Sequence, residues 1–184
     1  MRLFAAVLPP PAAVAELRDA VRELPADDRL RWTAEEGWHF TLAFMGEVED
    51  RLLGELRTRL GRAAHRTGPF PLRLHGSGHF GDRALWVGAA GGLDGLRLLA
   101  ERADAAARRS GIPMEQHRRY TPHLTVARSR GEISLTSYTE ALAPFEGTSW
   151  QVGEVSLVRS RLPVSGVPGE HPRYEVVGAW PLAG

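Results

Sequence analysis

Two segments of this chain alternate apolar and polar residues as a half-buried strand must, and both carry the same His-x-Thr-x element. They are Trp38-His39-Phe40-Thr41-Leu42-Ala43-Phe44 and Pro122-His123-Leu124-Thr125-Val126-Ala127-Arg128. Side chains two apart on a strand point to the same face. His39 and Thr41 therefore share one face while Phe40 and Leu42 enter a core on the other. His123 and Thr125 repeat the arrangement, with Leu124 and Val126 behind them.

The tetrapeptide alone is not selective. With 7 His in the chain, about one match is expected by chance, so context decides. His65-Arg66-Thr67-Gly68 and His75-Gly76-Ser77-Gly78 also fit a loose His-x-[Ser/Thr]-x. His65 ends a helical pattern and runs into the Gly68-Pro69 turn signal. His75 sits among Gly76, Gly78 and Gly81, where no strand is expected. Only His39 and His123 join the motif to a strand.

A length of 184 residues suits one domain, residues 1–184, or two small lobes sharing a core. No apolar run approaches membrane-spanning length, and the opening Met1 to Pro10 is too short for a signal peptide and reads as a strand ending at prolines. A cytoplasmic monomer without membrane attachment is the expectation. The absence of Cys excludes disulfides, thiol catalysis and cysteine metal sites. A net charge of +1 argues against coating nucleic acid by bulk electrostatics. All 23 Lys+Arg residues are Arg, a planar bidentate phosphate donor whose uniform use also follows from genomic base composition.

Along the chain, a strand over residues 2–8 precedes a helix that starts at Pro10-Pro11 and runs to about Leu24. Arg29 to Trp32 and Trp38 to Met45 read as strands, and Val48 to His65 as a helix. Phe70 to Leu74 and Ala84 to Ala89 read as strands joined by a glycine-rich loop, Gly76 to Gly81. A helix over Leu93 to Arg109 stops at Ser110-Gly111. A short helix, Thr136 to Leu142, leads to a long strand, Trp150 to Arg161; a Pro/Gly loop to Arg173 precedes the last strand, Tyr174 to Trp180. This irregular alternation predicts an α+β fold with antiparallel or mixed sheets. Each motif strand is followed by a helix and a strand, which predicts two lobes related by a pseudo-twofold about a central cleft.

With these residues in view, the chain resembles the two-histidine (2H) phosphoesterase superfamily, in its RNA 2′,3′-cyclic phosphodiesterase branch, also called 2′-5′ RNA ligase-like. The likeness covers essentially the whole chain: Arg2 to Val7, His39 to Val48, Arg83 to Gly88, Tyr120 to Arg128, Glu154 to Ser160 and Tyr174 to Pro181. It implies a bilobal α+β fold with both motif strands lining one cleft. It also implies hydrolysis of 2′,3′-cyclic phosphate ends of RNA or nucleotides to 2′-phosphates, with no cofactor and no metal. Some relatives join or cleave 2′-5′ linked RNA ends.

Opening a cyclic phosphodiester needs a deprotonated water, a protonated leaving oxygen and a stabilised charged transition state. Histidine titrates near neutrality, so one copy can be basic while the other is acidic. By the resemblance His39 donates the proton and His123 activates water; the residues alone leave these roles open. Thr41 and Thr125 can donate to non-bridging phosphate oxygens. Arg128 is the phosphate-stabilising cation that the family pattern implies, although strict alternation puts it on the face opposite His123. Arg118 and Arg119 are the next candidates. Tyr120 and Phe80 could stack on a base, as single-stranded RNA recognition prefers. Neither motif places a second ligand at metal spacing, and no carboxylate sits on the motif faces. Two alternatives stay open: a 2′-5′ RNA ligase, and a catalytically idle member that binds nucleotides or RNA.

Overall fold

The computed structural model describes residues 1–116, 119–163 and 171–184. Strand β1 (Arg2–Val7) feeds helix α1 (Pro11–Arg22), which has Pro at its first helical position, where a missing N–H costs nothing. Next come β2 (Leu30–Trp32), β3 (Phe40–Glu47), α2 (Leu53–His65), β4 (Phe70–Phe80) and β5 (Ala84–Gly91). The second half holds α3 (Leu93–Arg109), β6 (Leu124–Ser129), α4 (Thr136–Leu142), β7 (Trp150–Val152), β8 (Glu154–Arg161) and β9 (Arg173–Pro181).

The strands form two sheets, ordered β3-β1-β8-β9 and β2-β6-β5-β4-β7, and every neighbouring pair among them runs antiparallel. The expected α+β architecture is present, with no mixed pairing among the described strands. Counted from the motif strands, β3-β1-β8-β9 runs in step with β6-β5-β4-β7, and β2 is an extra edge beyond β6. One continuous core takes side chains from both sheets, including Leu3, Phe40, Leu72, Leu85 and Leu124. Phe40 is 0% exposed, so the motif strands are held by the apolar half of their own alternation. Truncating such a side chain typically costs about 3–5 kcal/mol.

Three expectations about elements need correction. The stretch from Gly76 to Gly81 is mostly strand, because β4 runs to Phe80 after a register shift between Leu74 and Ser77. The shift is made at Gly76, whose φ of 70 suits a residue without Cβ. Gly78 then lets the Trp86 ring lie flat on the β4 backbone: a Cβ there would overlap that ring. The long strand from Trp150 is in fact two, β7 and β8, in different sheets, with Gly153 as the crossing point. The helix expected from Val48 opens with a single tight turn, Asp50–Leu52, before α2 begins.

Candidate active site

Both motif strands are bulged at the same place. In β3, Thr41 pairs with Ala6 and Ala43 with Ala5, leaving Leu42 as an extra residue. In β6, Thr125 pairs with Trp86 and Ala127 with Leu85, leaving Val126 extra. An extra residue shifts every later side chain to the other face. Val126 and Ala127 are consequently both buried, and Arg128 emerges on the face of His123 and Thr125. The objection from strict alternation is removed: Arg128 need not reach round the strand end. The same shift in β3 brings Phe44 onto the face of His39 and Thr41, 50% exposed. Phe44 thus occupies in one lobe the place of Arg128 in the other, and the Arg2 guanidinium lies 4.8 Å from its ring centroid.

The two imidazoles are oriented in the same way. His39 Nδ1 lies 2.6 Å from the Gly37 carbonyl, and His123 Nδ1 lies 2.9 Å from the Thr121 carbonyl. A carbonyl only accepts, so Nδ1 carries the proton in both rings and Nε2 is left as the working nitrogen. His39 Nε2 lies 2.9 Å from Thr41 Oγ1. Around His39, Phe4 stacks at 4.6 Å between centroids and Tyr174 meets the ring edge-on at 5.5 Å. Phe4 belongs with Ala6 and Val158 to a small apolar cluster apart from the main core, on the cleft side of its sheet. Around His123, Phe80 stands edge-on at 4.8 Å and Trp86 lies 6.3 Å away.

A glycine backs an aromatic beside each histidine. A Cβ on Gly37 would come within 2.7 Å of the Tyr174 ring, as one on Gly78 would collide with Trp86. Burial pushes the His39 pKa below 6.5, against the pull of the Gly37 carbonyl, and the positive charges of His123 and Arg128 lower it further. His123 and Arg128 are therefore both within electrostatic reach of His39. A cavity of about 620 Å³ opens beside them, lined by Trp32, Thr33, Gly37, Arg128, His171 and Tyr174 among others.

Of the remaining sequence candidates, Phe80 is 44% exposed beside His123, where a flat face is available. Tyr120 differs from expectation. It packs against the core, and its hydroxyl donates to the Thr41 carbonyl at 2.9 Å, so it braces the first motif strand rather than offering a stacking face. Its pKa is raised by burial, which keeps the phenol a donor. Arg119 lines a separate recess with Leu42 and Tyr120, and Arg118 lies outside the described residues. Sequence reasoning passed over Phe4, Trp86, Tyr174 and the two backing glycines. The doubled apolar pairs Leu42-Ala43 and Val126-Ala127 were the available sign of the bulges.

Residues 8–162 match the 2′-5′ RNA ligase superfamily. The chain belongs to that family. A Geobacillus stearothermophilus protein named RNA 2′,3′-cyclic phosphodiesterase is 30% identical over 158 residues, 83% of this chain. The alignment covers 48% of that relative, so the chain spans about half its length. An Aeropyrum pernix protein of the same name is 29% identical over 168 residues, 89% of this chain and 92% of its own. Among solved structures, a Thermus thermophilus protein superposes with a TM-score of 0.82 at 28% identity, covering 100% of this chain and 99% of its own. E. coli LigT complexed with 3′-AMP gives a TM-score of 0.76 at 27% identity, over 98% and 97% of the two chains. The α+β fold is thus that of the ligase superfamily. No helix among the described residues is long and apolar enough to cross a membrane.

Proposed function

We propose that this 2′-5′ RNA ligase superfamily member is an RNA 2′,3′-cyclic phosphodiesterase. It opens cyclic phosphate ends of RNA or nucleotides to 2′-phosphates by two-histidine acid–base catalysis without a metal or cofactor. The observation that carries the reading is the matched pair of imidazoles, each with Nδ1–H tied to a carbonyl two residues earlier and Nε2 left to work. The relatives named for this activity support it. Residues 1–184 act as a single bilobal domain, monomeric in the cytoplasm.

His123 Nε2 takes a proton from water as the water oxygen bonds to phosphorus. The bond from phosphorus to O3′ breaks, and O3′ takes the proton held on His39 Nε2. The phosphate's negative charge between the rings favours protonated His39 against the burial and the neighbouring cations that disfavour it. Thr41, Thr125 and Arg128 donate to the non-bridging oxygens. A positioned acid or base contributes about 10²–10⁴-fold, and a preorganised donor about 10²–10³-fold. The ready-made cavity beside Arg128 has room for the nucleoside carrying the phosphate.

The test is turnover of a nucleoside 2′,3′-cyclic phosphate. His39→Ala and His123→Ala should each abolish it, and the double variant should be little worse than either, because both act on one transition state. Independent, multiplicative losses would overturn a shared mechanism. One observation favours the reverse roles: burial lowers the His39 pKa and suits it to be the base. A p-nitrophenyl phosphodiester decides, since its leaving group needs no proton. The variant lacking the acid keeps activity on it, and the variant lacking the base does not. Turnover persisting in excess EDTA supports the metal-free scheme; inhibition that added metal reverses refutes it. Among the described residues no three His, Asp or Glu gather as a metal site.

A further inference from the structure

A second cavity of about 640 Å³ lies between α2 and α3, away from the histidines, and its lining is strongly basic. Arg59, Arg62, Arg66, Arg102 and Arg109 contribute side chains to it together with His65, and no carboxylate does. Elsewhere some arginines are matched, as Arg18 with Glu35, Arg29 with Asp27, Arg51 with Glu49, Arg97 with Asp94 and Arg108 with Asp104. Others, such as Arg57, Arg83 and Arg159, stand singly among the described residues. What distinguishes the cavity is that several basic side chains share one hollow. Within the cavity Arg59 has Glu55 at 2.6 Å. The side chains of Arg62, Arg66 and Arg109 have no ion pair or hydrogen bond among the described residues. A chain of net charge +1 thus gathers unneutralised guanidinium groups into one concavity.

The cavity also has a fixed element. Arg102 Nη1 donates to the Arg66 carbonyl at 2.7 Å and contacts Thr67 Oγ1 at 2.9 Å. Thr67 is buried and donates in turn to the Ala63 carbonyl at 2.8 Å. Arg102 of α3 therefore ties the end of α2 to α3, so the backbone that carries Arg62 and Arg66 is held in place. Three exposed guanidinium forks around a hollow can each take the two non-bridging oxygens of a phosphodiester bidentately.

Its position relates it to the cleft. Gly61 in the lining lies against Trp180 of β9, where a Cβ would stand 3.1 Å from the indole ring. Strand β9 is the edge of its sheet, and its Tyr174 meets His39 on the opposite face from Trp180. The basic cavity and the histidine cleft are thus separated by one sheet, with an open edge between them.

We infer that the α2–α3 cavity is a binding site for the phosphodiester backbone of the RNA whose end lies in the histidine cleft. Arg62, Arg66 and Arg109 are its contacts. The inference rests on the proposed function, which supplies the RNA. A short run of nucleotides passing over the β9 edge engages the cavity, so affinity rises with RNA length while the chemistry at the terminus is unchanged.

The experiment compares wild type with the triple variant Arg62→Gln, Arg66→Gln, Arg109→Gln, retaining Arg102 because it ties α2 to α3. Thermal melting verifies the fold. Anisotropy of a labelled oligoribonucleotide should show at least tenfold weaker binding, with the slope of log affinity against log salt shallower by about 2 for three lost phosphate contacts. KM and kcat for a mononucleoside 2′,3′-cyclic phosphate should stay at wild-type values. Unchanged RNA affinity in the triple variant overturns the inference. So does competition by inorganic triphosphate equal to that of RNA, which marks a small-anion pocket, or tighter binding of an acidic peptide than of RNA. Absence of turnover on any cyclic phosphate is a failure of the proposed function alone, because anisotropy reads the cavity without catalysis.

Discussion

Tyr120→Phe removes one oxygen and leaves the ring in place, which isolates the brace between the approach to the second motif and the first motif strand. The hydroxyl donates to the Thr41 carbonyl at 2.9 Å across 79 residues of sequence, in a partly buried setting. β3 is an edge strand, and its backbone is already irregular where Leu42 bulges. Losing the donor costs the net bond, about 1 kcal/mol, together with the penalty of a covered carbonyl left without a partner, about 1–3 kcal/mol in all. For a chain of this size each kcal/mol lowers Tm by about 2–4 °C, so differential scanning calorimetry should show a fall of at least about 2 °C. Thr41 also contacts His39 Nε2, so the same change should reduce kcat for a nucleoside 2′,3′-cyclic phosphate several-fold. The pH profile should keep its shape across neutral pH, because burial pushes the removed phenol up and out of that range. A variant with wild-type Tm and wild-type kcat refutes the idea that Tyr120 holds the motif strand.

Gly78→Ala should lower both stability and kcat, because the new methyl overlaps the Trp86 ring beside His123; overpacking of this kind costs about 1–3 kcal/mol, and melting with steady-state kinetics would measure both. Arg128→Ala should cut kcat about a hundredfold, and Arg128→Lys should recover little of it for want of the planar fork; near-wild-type activity in the Ala variant would remove Arg128 from the site. His39 also leaves a mark on stability. Its folded pKa lies below 6.5, so between the two values the unfolded chain binds more protons and the fold weakens as pH falls through about 6.5. Urea titrations between about pH 8 and pH 5 should show a shallower acid-side loss in His39→Gln, and equal slopes would contradict the burial argument.

His39, Thr41, His123 and Thr125 were legible because a half-buried strand writes its open face into every second residue. Arg128 was legible as a residue and illegible as a position. Alternation carries no sign of a bulge except two consecutive apolar residues, and Val126-Ala127 can equally be read as a strand deepening into the core. The stretch from Gly76 to Gly81 misled for a related reason. Glycine weakens strand propensity, yet here Gly78 is required by the flat approach of Trp86, a partner from another strand. Gly153 ends β7 and opens a change of sheet, which no local pattern in Trp150 to Arg161 distinguishes from a single strand. Tyr120 looked like an exposed ring because its own neighbours are polar; what covers it arrives from distant parts of the chain.

The shared bulge makes the two halves of the cleft near-copies down to the sixth residue of each motif, where the copies part: Phe44 on one side, Arg128 on the other. The two sides of this frame are not alike: His39 is held under Phe4 and Tyr174 with its Nε2 on Thr41, whereas His123 stands in a more exposed setting beside Phe80. The aromatic at one end and the guanidinium at the other add to that difference. A phosphate therefore meets a positive charge on the His123 side and an aromatic face on the His39 side, a difference in charge made by two side chains at matching places in the two strands.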